Sequence, residues 1–178
     1  VKKRRSTLHR LLLTAVALAT IWAYRHRDEW LRPTPGPAPD AAWRTVVRVV
    51  DGDTLLLDGK ERVRLIGVDA PETHHPSRGV EPCGYEASDY VQTTALGQRV
   101  RLEYDWERFD HTPQQRTLAY VYLEDGKLLN ALIIHRGYAH AYRKFKYRMK
   151  EAFLMLDEDA HRKTIGCLPL RAPQMPRE

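Results

Sequence analysis

Long apolar runs, internal repeats and cysteines are all scarce in this chain of 178 residues, and so is any charge surplus outside its first segment. The apolar run from Leu11 to Tyr24 (LLLTAVALATIWAY) has 14 residues, short of the roughly 20 that a helical bilayer span takes. No internal repeat is visible. Cysteine is limited to Cys83 and Cys167. With no second His/Cys pair at ligand spacing, the adjacent His74 and His75 read as solvated loop residues rather than half of a zinc site. The formal net charge of +6 invites a nucleic-acid reading. Residues 1–32, however, hold eight basic residues against Asp28 and Glu29, and the remainder holds 21 of each sign. The surplus is confined to the tail and says nothing about nucleic-acid binding by the folded part.

That tail has the order of an export signal: a basic patch at Lys2–Arg5, the apolar run 11–24, and small residues (ALA, IWA) as cleavage options. An uncleaved membrane anchor with its basic end inside is the competing reading. A buried globular helix fits poorly, because basic residues flank the run on both sides. Export follows on either reading, as a secreted, periplasmic or outward-facing anchored protein. Next comes RPTPGPAPDAA, with prolines at 33, 35, 37 and 39; these favour extended backbone and remove donors. We therefore read 1–32 as signal peptide or anchor, 33–42 as linker, 43–168 as one domain and 169–178 as a tail. A hydrophobic fraction of 43% supplies a real core, and a monomer is expected.

From Trp43 the pattern turns to strands. Three β-type runs, 44–50, 53–58 and 61–68, are punctuated by Asp51-Gly52 and Asp58-Gly59, and Asp-Gly between apolar runs is a hairpin signal. Residues 69–83 read as a loop and Glu86 to Leu96 as a helix ended by Gly97. QRVRLEYD and RTLAYVYLEDG look like a fourth and fifth strand. KLLNALIIHRG and residues 148–163 look like two more helices. The order predicts an α+β fold, a five-stranded antiparallel, partly open Greek-key barrel of the OB type with about three helices.

The stretch VRLIGVDAPET concentrates the charges of interest. Arg64 lies among apolar residues on both faces of its strand, so it would be partly buried and in need of an anionic partner. A salt bridge within the protein meets that need. Asp53 closes the turn between the first two strands and Asp69 closes the third. Two carboxylates at neighbouring strand ends can seat a hard divalent cation, with carbonyls, water and substrate oxygens completing its shell. Pro71 biases Ala70 towards extended backbone, which can turn the Ala70 carbonyl to such an ion. Glu72 would stand near the metal and not on it.

At this point VVRVVDGDTLLL, VRLIGVDAPET, CGYEAS and RTLAYVYLEDGKLLNALIIHRGYA together resemble the staphylococcal nuclease (thermonuclease) family, over about residues 45–168. The resemblance implies a calcium-dependent enzyme that cleaves DNA and RNA phosphodiesters on an OB barrel, leaving 3′-phosphate ends. It implies Asp53 and Asp69 as side-chain calcium ligands, the Ala70 carbonyl as a further ligand, and Asp51 close behind them. Glu72 matches the general base or water-orienting glutamate, and Arg64 and Arg116 match the arginines that grip the scissile phosphate. On this reading Arg64 is reserved for substrate. Guanidinium suits the task because it stays charged and forks onto two oxygens.

Departures from the family are local. Before Arg116 the chain reads DHTPQQR, with Gln114 and Gln115 where many relatives carry a tyrosine and a glycine, and GCL stands where many have Gly-Leu-Trp. Residues 143–150 (RKFKYRMK) interleave basic and aromatic groups, a pattern that suits either single-strand binding or a solvated face. Tyr120 and Tyr122 read as core or barrel surface. In an exported protein Cys83 and Cys167 are a candidate disulfide, whose long loop would stabilise by about 4–5 kcal/mol on the chain-entropy model. The alternative function is a non-catalytic OB module that binds nucleic acid or protein.

Overall fold

The computed structural model describes residues 41–73, 79–113 and 115–168. The expected leader or anchor, most of the linker, the tail, His74, His75 and Gln114 lie outside the described residues.

Alternating apolar positions build the first hairpins. β1 (Arg44–Asp51) turns through Gly52 and Asp53 into β2 (Thr54–Leu57), with Asp51 opposite Thr54. A 3-10 turn at Asp58–Lys60 leads into β3 (Arg62–Leu65), which pairs antiparallel with β2. Their inward side chains, Val46, Leu55, Leu57, Val63 and Leu65, are buried together. A two-residue β4 (Val68–Asp69) follows, then α1 (Gly84–Ala95), whose buried Ala87, Val91 and Ala95 repeat every fourth residue. β5 (Arg99–Glu103) and β6 (Thr117–Leu123) pair antiparallel, and α2 (Leu129–His135) comes next. A short β7 (His140–Ala141) and α3 (Lys150–Arg162) end the sequence of elements. The barrel order is β1-β2-β3-β6-β5, closed by β1 against β5. A closed five-stranded barrel with three helices is the OB-type α+β fold that the sequence predicts.

Two details differ from expectation. The third strand, expected over 61–68, is two strands, because Gly67 turns the chain out of the barrel at a φ of 74°. A Cβ on Gly67 would come within 2.5 Å of the Tyr147 ring and 2.8 Å of Phe153, so glycine is required there for space as well. β4 leaves the barrel and pairs with β7. The barrel is also not wholly antiparallel: β3 and β6 run parallel. The chain between them passes through α1 and β5 and returns to β3 in the same direction, a crossover that periodicity within a strand does not encode.

Asn130 stitches this corner together. Buried on α2, it donates from Nδ2 to the carbonyls of Ile66 (2.9 Å) and Ala119 (3.2 Å) and accepts the Val121 N–H at 2.9 Å. It supplies a partner to the Ile66 carbonyl at the point where the strand breaks. Cys83, just before α1, is disulfide-linked to Cys167, beyond α3, with Cα atoms 5.5 Å apart and 84 residues between them in sequence. Replacing Asn130 with Ala should lower unfolding free energy in urea by about 2–4 kcal/mol, since each buried backbone group left unpaired costs about 1–3 kcal/mol.

Candidate active site

The rim of the barrel is organised by the β1–β2 turn. The Asp53 N–H donates to Asp51 Oδ1 (3.1 Å), and the Asp53 carbonyl accepts the Leu65 N–H at 2.8 Å. The carboxylate, buried at 4% exposure, accepts Thr54 Oγ1 at 3.0 Å and the Ala70 N–H at 3.3 Å. Gly52 allows this reach without a positive φ. A Cβ there would stand 2.7 Å from the Ala70 Cβ and 3.0 Å from that of Ala87, so the turn nests between the loop after β4 and α1.

Arg64 projects from β3 opposite Thr54 and forms an ion pair with Asp53 Oδ2. Its partner in the structure is thus a protein carboxylate, where the family resemblance reserves it for substrate. A largely buried guanidinium demands such a match. Burial first, then the positive charge of Arg116, push Arg64 down to about 10; Asp51, Asp69 and Glu72 oppose them. Arg64 therefore stays charged at neutral pH and feels every other charge of the rim. Burial raises Asp51 above the ordinary carboxylate value, with Arg64 pulling the other way. Burial and then repulsion from Asp51 raise Glu72, again offset by Arg64.

The loop that carries Glu72 is pinned on both sides. The Glu72 N–H donates to Glu81 Oε2 (3.1 Å), and its carbonyl accepts the Glu81 N–H at 2.9 Å. Gly84 at the start of α1 presses on the same carbonyl, at 2.8 Å from a Cβ built there. Asp69 ends β4 opposite His140 on β7. β7 is anchored by Asp157 of α3, which lies 2.9 Å from His140 Nδ1 and accepts the Ala141 N–H at 3.1 Å. The chain of contacts α3, β7, β4 thus sets the position of Asp69 and Ala70.

Among the described residues, acidic, histidine and cysteine ligand atoms converge in a close trio at Cys83, Glu86 and Cys167, where the two sulfurs are bonded to each other. Asp51, Asp53 and Asp69 do not form such a trio; they line an open rim.

Arg116 is held by a residue that sequence reasoning missed. Asp110 accepts the Arg116 backbone N–H (2.9 Å) and its Nε (2.6 Å), and also Thr112 Oγ1 at 2.8 Å. Burial acts to raise Asp110, but the hydrogen bonds from Arg116 and Thr112 outweigh it and leave the carboxyl below its ordinary value. The one available signal was Asp-x-Thr, a local turn pattern. Gln115 takes a positive φ of 44° in the same turn. Tyr120 and Tyr122 are buried, with their hydroxyls on Asp105 and Glu103. The 143–150 stretch divides: Phe145 is exposed and stacks on Tyr142, while Tyr147 belongs to the core.

Fold and rim together define a single OB-barrel domain that sets two arginines among four carboxylates. Residues 62–167 match the family described as staphylococcal nuclease homologue. The thermonuclease of Staphylococcus intermedius is 45% identical over 120 residues, covering 66% of this chain and 68% of that protein. The thermonuclease of Staphylococcus hyicus is 45% identical over 116 residues, covering 60% and 66%. The endonuclease YhcR of Bacillus subtilis is 34% identical over 122 residues, 62% of this chain but 10% of that much longer protein. The chain belongs to the staphylococcal nuclease family.

The Asp110 clamp has a pH signature. A carboxyl lowered by folding contributes stability that is fully present above its ordinary value and lost as pH falls through its lowered folded value. Asp110→Asn should therefore cost about 1 kcal/mol in urea unfolding at neutral pH. The difference from the parent should close as pH drops below the ordinary aspartate range.

Proposed function

We propose that this protein is an exported, calcium-dependent nuclease that hydrolyses DNA or RNA endonucleolytically and leaves 3′-phosphate ends. That it is a nuclease, a hydrolase of phosphodiester bonds, follows from its family and from the thermonucleases it is similar to. The finer reading rests on one observation above all: Arg64 and Arg116 share a rim with Asp51, Asp69 and Glu72 closely enough to perturb one another.

The donors at this rim fit a hard cation. Asp53, Asp69, the Ala70 carbonyl and Asp51 nearby offer oxygen alone, the ligand chemistry of calcium. Bound there, calcium would supply positive charge against a phosphoryl oxygen and a site for water. The remaining work falls to the side chains. Arg64 and Arg116 would each donate to non-bridging phosphate oxygens, where charge grows as the attacking oxygen approaches phosphorus. Glu72, raised by its surroundings, is suited to accept the proton of the attacking water as the P–O5′ bond breaks. Asp110 holds Arg116 by its Nε, which leaves the guanidinium's terminal nitrogens to face a phosphate. The disulfide supports an oxidising compartment outside the cytosol.

The experiment is cleavage of DNA and RNA with calcium, with EDTA, and by Glu72→Gln. Activity should require calcium and fall about 10²–10⁴-fold in Glu72→Gln. Arg64→Lys and Arg116→Lys should each lose about 10²–10³-fold. Cleavage indifferent to EDTA and to Glu72→Gln would falsify the site assignment, and absence of cleavage in every condition would favour a binding module.

A further inference from the structure

We propose that Tyr104, Trp106, Arg108 and Phe109, on the segment between β5 and β6, form a stacking platform for unpaired bases of single-stranded nucleic acid. The proposal rests on the nuclease reading for where the phosphate sits, and adds a preference for single strands.

Trp106 is 73% exposed and Phe109 52%, both on a segment whose backbone is tied down. Asp105 accepts from Tyr120 Oη (2.8 Å) and from the Arg148 N–H (2.7 Å), and its other oxygen accepts the Trp106 N–H at 2.9 Å. On the far side, Phe109 bridges to Thr117, and the Leu118 N–H donates to the Arg108 carbonyl at 2.8 Å. The rings are thus held in water by both flanks. Arg108 interleaves them, with its guanidinium carbon 4.4 Å from the Tyr104 ring centre and 5.8 Å from that of Phe109. Alternating π-faces and guanidinium are what a base-and-phosphate strand requires, and stacking tolerates any base.

Position ties the platform to the site. Leu118 pairs with Arg64 on one side and takes the Arg108 carbonyl on the other. Arg64 and Arg108 therefore lie in one cross-strand row, two strand spacings or about 10 Å apart, on the same face of the sheet. The acids of the segment do not repel a strand strongly. Asp105 and Asp110 are engaged inward, and Glu107 lies 3.4 Å from His111 Nε2. A duplex keeps its bases stacked inside and cannot use these rings.

The test uses the intact chain and a short oligothymidylate, with binding followed by fluorescence anisotropy in EDTA. The Trp106→Ala/Phe109→Ala double variant should bind it about 10- to 100-fold more weakly, while Trp106→Phe keeps most of the affinity. A blunt duplex of the same length should bind parent and variant alike. With calcium, the double variant should raise KM for oligothymidylate and leave kcat unchanged. It should also hydrolyse a p-nitrophenyl thymidine phosphodiester at the parent's rate. Unchanged oligothymidylate affinity, or an equal loss on duplex, overturns the platform. Failure of the parent itself to hydrolyse the p-nitrophenyl diester counts against the nuclease reading, and the EDTA binding comparison still decides the platform.

Discussion

The ion pair between Arg64 and Asp53 is the interaction on which the rest of the rim depends. Each side chain is largely buried, and neither charge could stay there alone at tolerable cost. The barrel meets this requirement by setting β2 against β3 so that the β1–β2 turn overhangs Arg64. Gly52 lets that turn settle against Ala70, and the same contact brings the Asp53 carboxylate to the Ala70 N–H. One carboxylate thus serves the guanidinium, the turn and the loop that carries Glu72. A cation taking an oxygen of Asp53 would compete with Arg64 for it. Ligand binding and the freeing of a phosphate-binding arginine are on this view coupled through a single side chain.

The scaffold supports the rim from behind by a relay of ordinary packing. Asp157 on α3 holds β7, β7 pairs with β4, and β4 delivers Asp69. Asn130 on α2 satisfies the carbonyl exposed where β3 ends, so the chain can leave the barrel without an orphaned acceptor. The Cys83–Cys167 link ties the start of α1, which presses on the Glu72 carbonyl, to the segment beyond α3. Stability and site geometry are here served by the same contacts.

Much of this was legible in the residues. Asp51-Gly52 marked the first hairpin, alternating Val and Leu marked the barrel strands, and the spacing of Ala87, Val91 and Ala95 marked α1. What escaped did so for physical reasons. Ile66-Gly67-Val68 continues an apolar run, and only packing against Tyr147 and Phe153 makes Gly67 an exit from the barrel. The parallel pairing of β3 with β6 is a property of the crossover and has no local signature. Arg64 could be recognised as an arginine in need of an anion, but which anion depends on a turn eleven residues away. Asp110 was hidden because its role depends on a turn of the intervening chain that returns Arg116 to it.

The measurement that bears most directly on this account is calcium binding, followed by isothermal titration calorimetry on the intact protein and on Asp53→Asn. The shared-carboxylate account predicts a single calcium site in the parent that weakens at least about tenfold in the variant, since a hard cation loses a charged oxygen ligand. Equal calcium affinity in the two proteins would contradict it and leave Asp53 as no more than the counter-ion of Arg64.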